Sequence, residues 1–278
     1  MKAVLIASII LLSISTYAKK VMIVAHRGAS QNAPGNTLPA FRLAWKQGAD
    51  AIEGDFHLTK DGHIVCIHDG NTKKAAHTNL IVRESRLAEL RTLDVGFGHG
   101  EAFKDSVIPT ISEVFSTIPA EKTIYIEIKC GTEIIPVLLE EIKKSNLKSE
   151  QVVVICFKKA VIQELKIKAP QYKAFWLCSF KRDKSGDLAP SLDSVLASLK
   201  QIKANGISSN KNNIDELFIR DIKQAGYEYH VWTIDDARVA QRFKKWGVRS
   251  ITTNIPGYMR RNLVKQQDAA PDIEKPIR

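Results

Sequence analysis

Residues 21–69 read VMIVAHRGASQNAPGNTLPAFRLAWKQGADAIEGDFHLTKDGHIVCIHD. Two apolar, strand-like runs, 21–25 and 51–58, flank a helix-like segment. Thr37 suits the helix N-cap, Pro39 the first turn and Gly48 the end, which predicts a helix over 38–47. A third apolar run, 64–67, follows Asp61-Gly62, a dipeptide that favours tight hairpins. The spacing therefore predicts that 64–67 folds back on 51–58 as an antiparallel extension. Polar residues gather where these runs end: His26 after the first, Glu53 and Asp55 within the second, His68 after the third. Side chains two apart on a strand share a face, so Glu53 and Asp55 point the same way. Paired carboxylates repel unless something positive lies between them, and a hard divalent cation is the usual solution. Two histidines beside such an ion supply a base and an acid near neutral pH.

The rest of the chain repeats strand and helix. Further strands are expected over 123–129, 152–157, 173–178, 206–209, 228–233 and 250–253. Helices are expected over 84–93, 133–145, 158–168, 192–203, 214–224 and 236–246, with one more beginning at Thr110, whose spacing to Glu113 makes a capping box. Leaving out the hairpin return, this gives eight strands with helices between most of them, the pattern of an α/β protein with a (β/α)8 TIM barrel. A β-hairpin and a long loop, 70–107, are inserted after the second strand, and Gly96, Gly98 and Gly100 mark a flexible stretch within it. The competing architecture is an open doubly wound sheet, but no glycine-rich dinucleotide fingerprint follows the first strand.

In such barrels the active site forms at the C-terminal ends of the strands. His26, Glu53, Asp55, Glu127 and Lys129 fall at or near those ends. Glu53, Asp55 and Glu127 together offer three oxygen ligands, which suits Mg²⁺ or Ca²⁺ better than zinc. Taken singly, each acid is as readily a solvated or ion-paired strand-end residue, and each histidine a structural one. His57 shares the face of Glu53 and Asp55 and is a supporting candidate. His63, His77, His99 and His230 are expected to be surface or core residues.

Composition bounds the class. The 278 residues are 44% hydrophobic and 26% charged, with a net charge of +11. That is ordinary globular composition, and one barrel fits the length. Residues 1–18 read as a secretory signal peptide, with Lys2, a short apolar run and small residues up to Ala18. The apolar run is short for a membrane span, and no later stretch is long enough for one. Cleavage removes one lysine and no acid, so the mature chain would carry +10. Export, to a periplasm or beyond the cell, follows as an expectation. The basic residues are scattered, with no stripe interleaved with aromatics, so nucleic acid is not expected as a partner. No pattern specifies an oligomeric state. The single barrel is expected over 19–263, with a polar tail over 264–278. Cys66, Cys130, Cys156 and Cys178 could pair in an exported protein, but their places in or beside strands suit buried free thiols equally well.

Five blocks, in order, carry a family resemblance: His26-Arg27-Gly28, the Glu53-x-Asp55 pair with the Thr59-x-Asp61-Gly62 turn and His68-Asp69, then IPTISEV at 108–114, IEIK at 126–129 and VWTI at 231–234. Together they resemble the glycerophosphodiester phosphodiesterases, over roughly residues 21–256. The resemblance implies a metal held by Glu53, Asp55 and Glu127. It implies that His26 and His68 are the acid/base pair, without saying which does which. Reaction would run by attack of a glycerol hydroxyl and opening of a cyclic phosphate by water. It further implies that Arg27 and Lys129 hold the phosphate and that Trp232 walls the glycerol carbons, although Trp232 could equally be packing in its strand. The implied substrate is a small glycerophosphodiester, cleaved to glycerol 3-phosphate and an alcohol.

Three departures matter. The family's P-E-N-T is Pro34-Gly35-Asn36-Thr37 here, its T-D-x-P is Thr253-Asn254-Ile255-Pro256, and the run after Asp69 is altered. They leave two alternatives open: a phospholipase C- or D-like enzyme acting on intact lipids, and a non-catalytic barrel that binds glycerophosphates.

Overall fold

The computed structural model describes residues 20–264. The expected signal peptide, and the tail beyond residue 264, lie outside the described residues. Eleven strands are present: β1 (Met22–His26), β2 (Ala51–Leu58), β3 (Ile64–Cys66), β4 (Thr123–Ile128), β5 (Val152–Cys156), β6 (Lys173–Cys178), β7 (Lys181–Arg182), β8 (Leu188–Ala189), β9 (Gly206–Asn210), β10 (Glu228–Trp232) and β11 (Ser250–Thr253). Eight of them, β1, β2, β4, β5, β6, β9, β10 and β11, pair in parallel, and β1 joins both β2 and β11 to close the barrel. β3 runs antiparallel to β2 as the expected hairpin return.

The helices are α1 (Leu38–Lys46), α2 (Leu87–Leu90), α3 (Ile111–Phe115), α4 (Ile135–Lys144), α5 (Lys159–Lys168), α6 (Leu192–Gln201), α7 (Glu216–Gln224), α8 (Ala237–Lys245) and α9 (Pro256–Val264). Their starts follow local chemistry. Thr37 caps α1 by accepting from the Ala40 amide, and Thr110 and Glu113 cap α3 reciprocally. Asp215 and Asp236 cap α7 and α8.

Three clusters form the core. The largest lies between the barrel wall and the helices, and includes Phe41, Ile52, Ile126, Val154 and Phe243. β5 is buried along its whole length, which is why it reads as an unbroken apolar run. A second cluster fills the barrel, with Val24, Ala51, Tyr125, Val153 and Phe175. His230 completes that interior: its ring lies 4.0 Å from Phe175, and its Nδ1 and the Ser250 hydroxyl are 2.7 Å apart. Glu228 sits below it, and although burial opposes ionisation, His230 and Lys173 hold its carboxyl down at about 2.

The third cluster adds to the sequence reading. The inserted loop is irregular and exposed at 97–100 but is anchored elsewhere. Val65, Ile67, Val82, Leu90, Val95 and Ile108 form a small core that packs this insertion onto the hairpin. The helix expected over 84–93 is reduced to a 3-10 turn, Val82–Glu84, and the single turn α2. The small β7–β8 hairpin and α9 were not expected from the sequence. All four cysteines are free thiols. Among the described residues, no helix is long and apolar enough to cross a membrane.

Candidate active site

Strand register assembles the site. In the parallel barrel His26 pairs with Glu53 between β1 and β2, and Asp55 pairs with Glu127 between β2 and β4. His26 and Glu127 lie at the C-terminal ends of β1 and β4, and Glu53 and Asp55 lie within the longer β2, level with them. The hairpin returns His68 to the same rim. A cavity of about 350 Å³ and another of about 280 Å³ meet there. The smaller is lined by His26, Arg27, Glu53, His68, Glu127, Lys129 and Trp232. Asp55 lies against the same group but deeper, 1% exposed. The structure thus brings all eight candidate residues to one place.

The acids form a tight group. One carboxylate oxygen each from Glu53, Asp55 and Glu127 lie within 4.8 Å of one another, and all three residues are buried. Arg27 approaches from the rim: its amide donates to Glu53 Oε2 at 2.9 Å and its Nε lies 3.1 Å from Asp55 Oδ2. Lys129 Nζ lies 2.6 Å from Glu127 Oε1 and 3.3 Å from Asp55 Oδ1. These two cations face three acids, and they do not reach every oxygen. Glu53 Oε1 is buried and accepts no hydrogen bond, and Asp55 Oδ1 has only the Lys129 ammonium. A buried carboxylate oxygen without a donor is costly, and hard oxygen donors of this kind fit a divalent cation. Ionisation follows the same imbalance. Burial, then Asp55 and Glu127, push Glu53 well up. Burial and Asp55 push Glu127 up to about 7. Burial also works against Asp55, but Lys129 and Arg27 outweigh it and hold its carboxyl below the usual range.

The two histidines have different surroundings. His26 Nδ1 lies 2.7 Å from Asn254 Oδ1. The amide of Asn254 has one orientation available, because its Nδ2 donates to Asp235 Oδ2 at 2.6 Å and a carboxylate only accepts. Oδ1 therefore faces His26 as an acceptor, the proton sits on Nδ1, and Nε2 keeps its lone pair. Burial, helped by Arg27, lowers the His26 pKa. His68 Nδ1 instead meets a carboxylate, Asp69 Oδ1, at 2.7 Å. His57 Nε2 bonds the His68 carbonyl at 3.2 Å, so this candidate fixes the backbone of a site residue.

Sequence reading missed the asparagines. Asn36 Nδ2 donates to Asp55 Oδ2 at 2.8 Å, and its Oδ1 accepts from the Asp55 amide at 3.1 Å. Its left-handed backbone, φ 63°, aims the carboxamide inward. That conformation suits Asn among non-glycine residues, so an asparagine directly before the helix cap was the available signal. Asn254 stood out only as a departure from T-D-x-P and Asp235 not at all, because the chain of contacts from His26 through Asn254 to Asp235 exists only once the barrel closes.

A family model, the glycerophosphoryl diester phosphodiesterase family, matches residues 26–258. The chain belongs to this family. It is 33% identical over 242 residues to a glycerophosphodiester phosphodiesterase of Caldanaerobacter subterraneus, covering 85% of this chain and 95% of that one. A glycerophosphodiester phosphodiesterase of Bacillus subtilis is 27% identical over 255 residues, covering 85% and 84%. Among solved structures, an Oleispira antarctica phosphodiesterase in complex with sn-glycerol-3-phosphate superposes with a TM-score of 0.77 at 25% identity, over 87% of this chain and 96% of that one. This phosphodiesterase is therefore an enzyme of a barrel family. Two of its departures fall within the site. Asn254 is the partner of His26, and Gly35 lines the larger cavity, where an added Cβ would lie 3.2 Å from Arg27 Cβ.

Proposed function

We propose that the chain is an exported, divalent-cation-dependent enzyme that hydrolyses glycerophosphodiesters to glycerol 3-phosphate and an alcohol. The observation that carries this reading is the register that sets His26 beside Glu53 and Asp55 beside Glu127, with two buried carboxylate oxygens left without adequate donors.

Glu53, Asp55 and Glu127 would hold the cation, which supplies charge neutralisation to the transferring phosphoryl group. Arg27 and Lys129 lie beside these acids and bind the remaining phosphate oxygens. Trp232 faces the glycerol carbons. His26 is the base of the first step. Held neutral, with Nε2 free, it takes the proton from the glycerol hydroxyl that attacks phosphorus. His68, paired with Asp69, gives its proton to the departing alkoxide, so the P–O bond to the alcohol breaks as the cyclic ester forms. The roles then reverse: His68 takes a proton from water, which opens the cyclic phosphate, and His26 returns its proton to the glycerol oxygen.

The test uses the chain from Lys19, incubated with glycerophosphocholine in Ca²⁺, in Mg²⁺ and in chelator, with glycerol 3-phosphate assayed. Release that chelator abolishes and a cation restores is the expected result. Silence in both metals sinks the reading. Export rests on residues 1–18, and N-terminal sequencing of the protein recovered outside the cytoplasm, starting at Lys19, is its test.

A second reading draws on the rim. Phe157, 45% exposed, meets Trp232 edge to face at 5.8 Å, an apolar lip beyond what glycerol requires. Turnover of an intact lysolipid, faster than of its deacylated counterpart, would favour it.

A further inference from the structure

We infer that the cavity beyond His68 seats the departing alcohol, and that it selects alcohols carrying a second anionic group such as a phosphate. This deepens the function proposed above and rests on it. The two cavities of the site share Arg27 and His68. The smaller contains Glu53, Glu127, Lys129 and the Trp232 wall, so phosphate and glycerol occupy it. His68 stands at the boundary. The group it protonates leaves into the space on its far side, the cavity of about 350 Å³ between the loop at 34–36 and the insertion. Gly35 lines that space, and because it projects no side chain the cavity stays open beside Arg27.

The charges there favour an anion. Asp69 is the one acid among the described lining residues. Both its oxygens are engaged, Oδ1 by His68 Nδ1 at 2.7 Å and Oδ2 by Lys74 Nζ at 2.9 Å. When His68 carries the proton destined for the alcohol, that proton balances Asp69, and Lys74 is left uncompensated. Its side chain is 83% exposed, and its ammonium has three donors, so it can turn to a ligand without leaving Asp69. Arg27 adds no acid and is itself tied to Asp55. A quaternary ammonium head group would find no free carboxylate here, whereas a second phosphate would find Lys74. Solvent limits the size of the effect: at about 4 Å in water one charge contact changes binding roughly fivefold.

Three substrates share the glycerophosphoryl half and differ in the alcohol: glycerophosphocholine is cationic there, glycerophosphoglycerol neutral, and bis(glycerophospho)glycerol anionic. kcat/KM would be measured for each, with wild-type protein, Lys74→Glu and Gly35→Glu, at low and high salt. The wild type is expected to rank anionic above neutral above cationic. Lys74→Glu is expected to lower the anionic-to-cationic ratio at least tenfold, mostly through KM, with salt compressing the difference. Gly35→Glu, which puts bulk and negative charge into the same cavity, is expected to lower the ratio as well. Using the ratio cancels any loss of turnover caused by disturbing Asp69. A ratio unchanged in both variants, or a wild type that prefers the cationic alcohol, overturns the inference. Wild-type silence on all three overturns the phosphodiesterase reading and this inference with it.

Discussion

Asn254 shows how much one atom decides. It offers His26 a neutral acceptor, while the carboxylate of Asp235 stands one hydrogen bond further away. Exchanging the two in Asp235→Asn/Asn254→Asp keeps the charge and the hydrogen-bond count but puts the carboxylate directly against the ring. An adjacent negative charge favours the imidazolium. The acid limb of the kcat/KM profile is therefore expected to move up by about one pH unit, since more alkaline solution is needed to free Nε2. A limb that stays in place would mean that His26 is not the base. For the cation, Glu53→Gln removes the carboxylate whose Oε1 lacks a donor. Activity is expected to fall by about 10²-fold or more, and the thermal upshift expected of the wild type with Ca²⁺ or Mg²⁺ is expected to be lost. At this scale the acids and histidines were legible, because His26, His68 and Glu127 lie where strand-like runs end and Glu53 and Asp55 share one face of a strand. Asn36 and Asn254 were not, since an asparagine in a loop does not name its partner until the backbone has turned.

Elements were legible where one period ran long enough. β4, β5 and β6 read as apolar runs, and the helices packed on them as amphipathic ones. The insertion defeated that reading because its apolar residues follow no period: Val82, Leu90 and Val95 meet only by converging on the hairpin residues Val65 and Ile67. α9 was missed for a related reason, a short segment with few apolar residues after Pro256. The insertion core has a function to support, since it fixes the backbone that carries His68 to the rim. Leu90 is fully buried there. Leu90→Ala is expected to cost roughly 2–5 kcal/mol, localised to this unit. Hydrogen exchange should show amides of 70–107 losing protection while β4 to β6 keep theirs, together with a raised KM. Uniform loss of protection across the barrel would show that the insertion does not open by itself.

For the molecule as a whole, the buried acids link stability to pH and to metal. Glu127 titrates at about 7 in the folded chain, against a usual value near 4.3. Between those values the folded state holds a proton that the unfolded state has released, so stability falls as pH rises through that window and stays low above it. The elevated Glu53 works in the same direction. His26, His57 and His230, whose pKa values burial lowers, act in the opposite direction, so the carboxylate contribution is read by difference: in chelator, raising the pH from 5 to 8 is expected to lower the melting temperature of the wild type relative to Glu127→Gln, which lacks this proton. Divalent cation should raise it most at pH 8, where the carboxylates are free to bind. Calorimetry of both proteins at both pH values, with and without Ca²⁺, checks this, and a metal-free difference between them that does not change with pH refutes it. The barrel itself was legible from the count of eight strands. The register that closes it was not, because β1 and β11 are segments that share no local pattern.

That closure also sets the order in which competence is reached. β1 is made well before β11, and His26 meets Asn254 across 228 residues. Until β11 arrives, β1 has an open edge and His26 lacks the group that fixes its proton. Loop closure over that distance is the slow, entropically costly kind. A nascent or truncated chain ending before residue 250 can carry every acid and both histidines and still be inert. Enzymatic turnover in this protein would therefore report more than chemistry: it would certify that the chain has been made through β11 and the barrel closed.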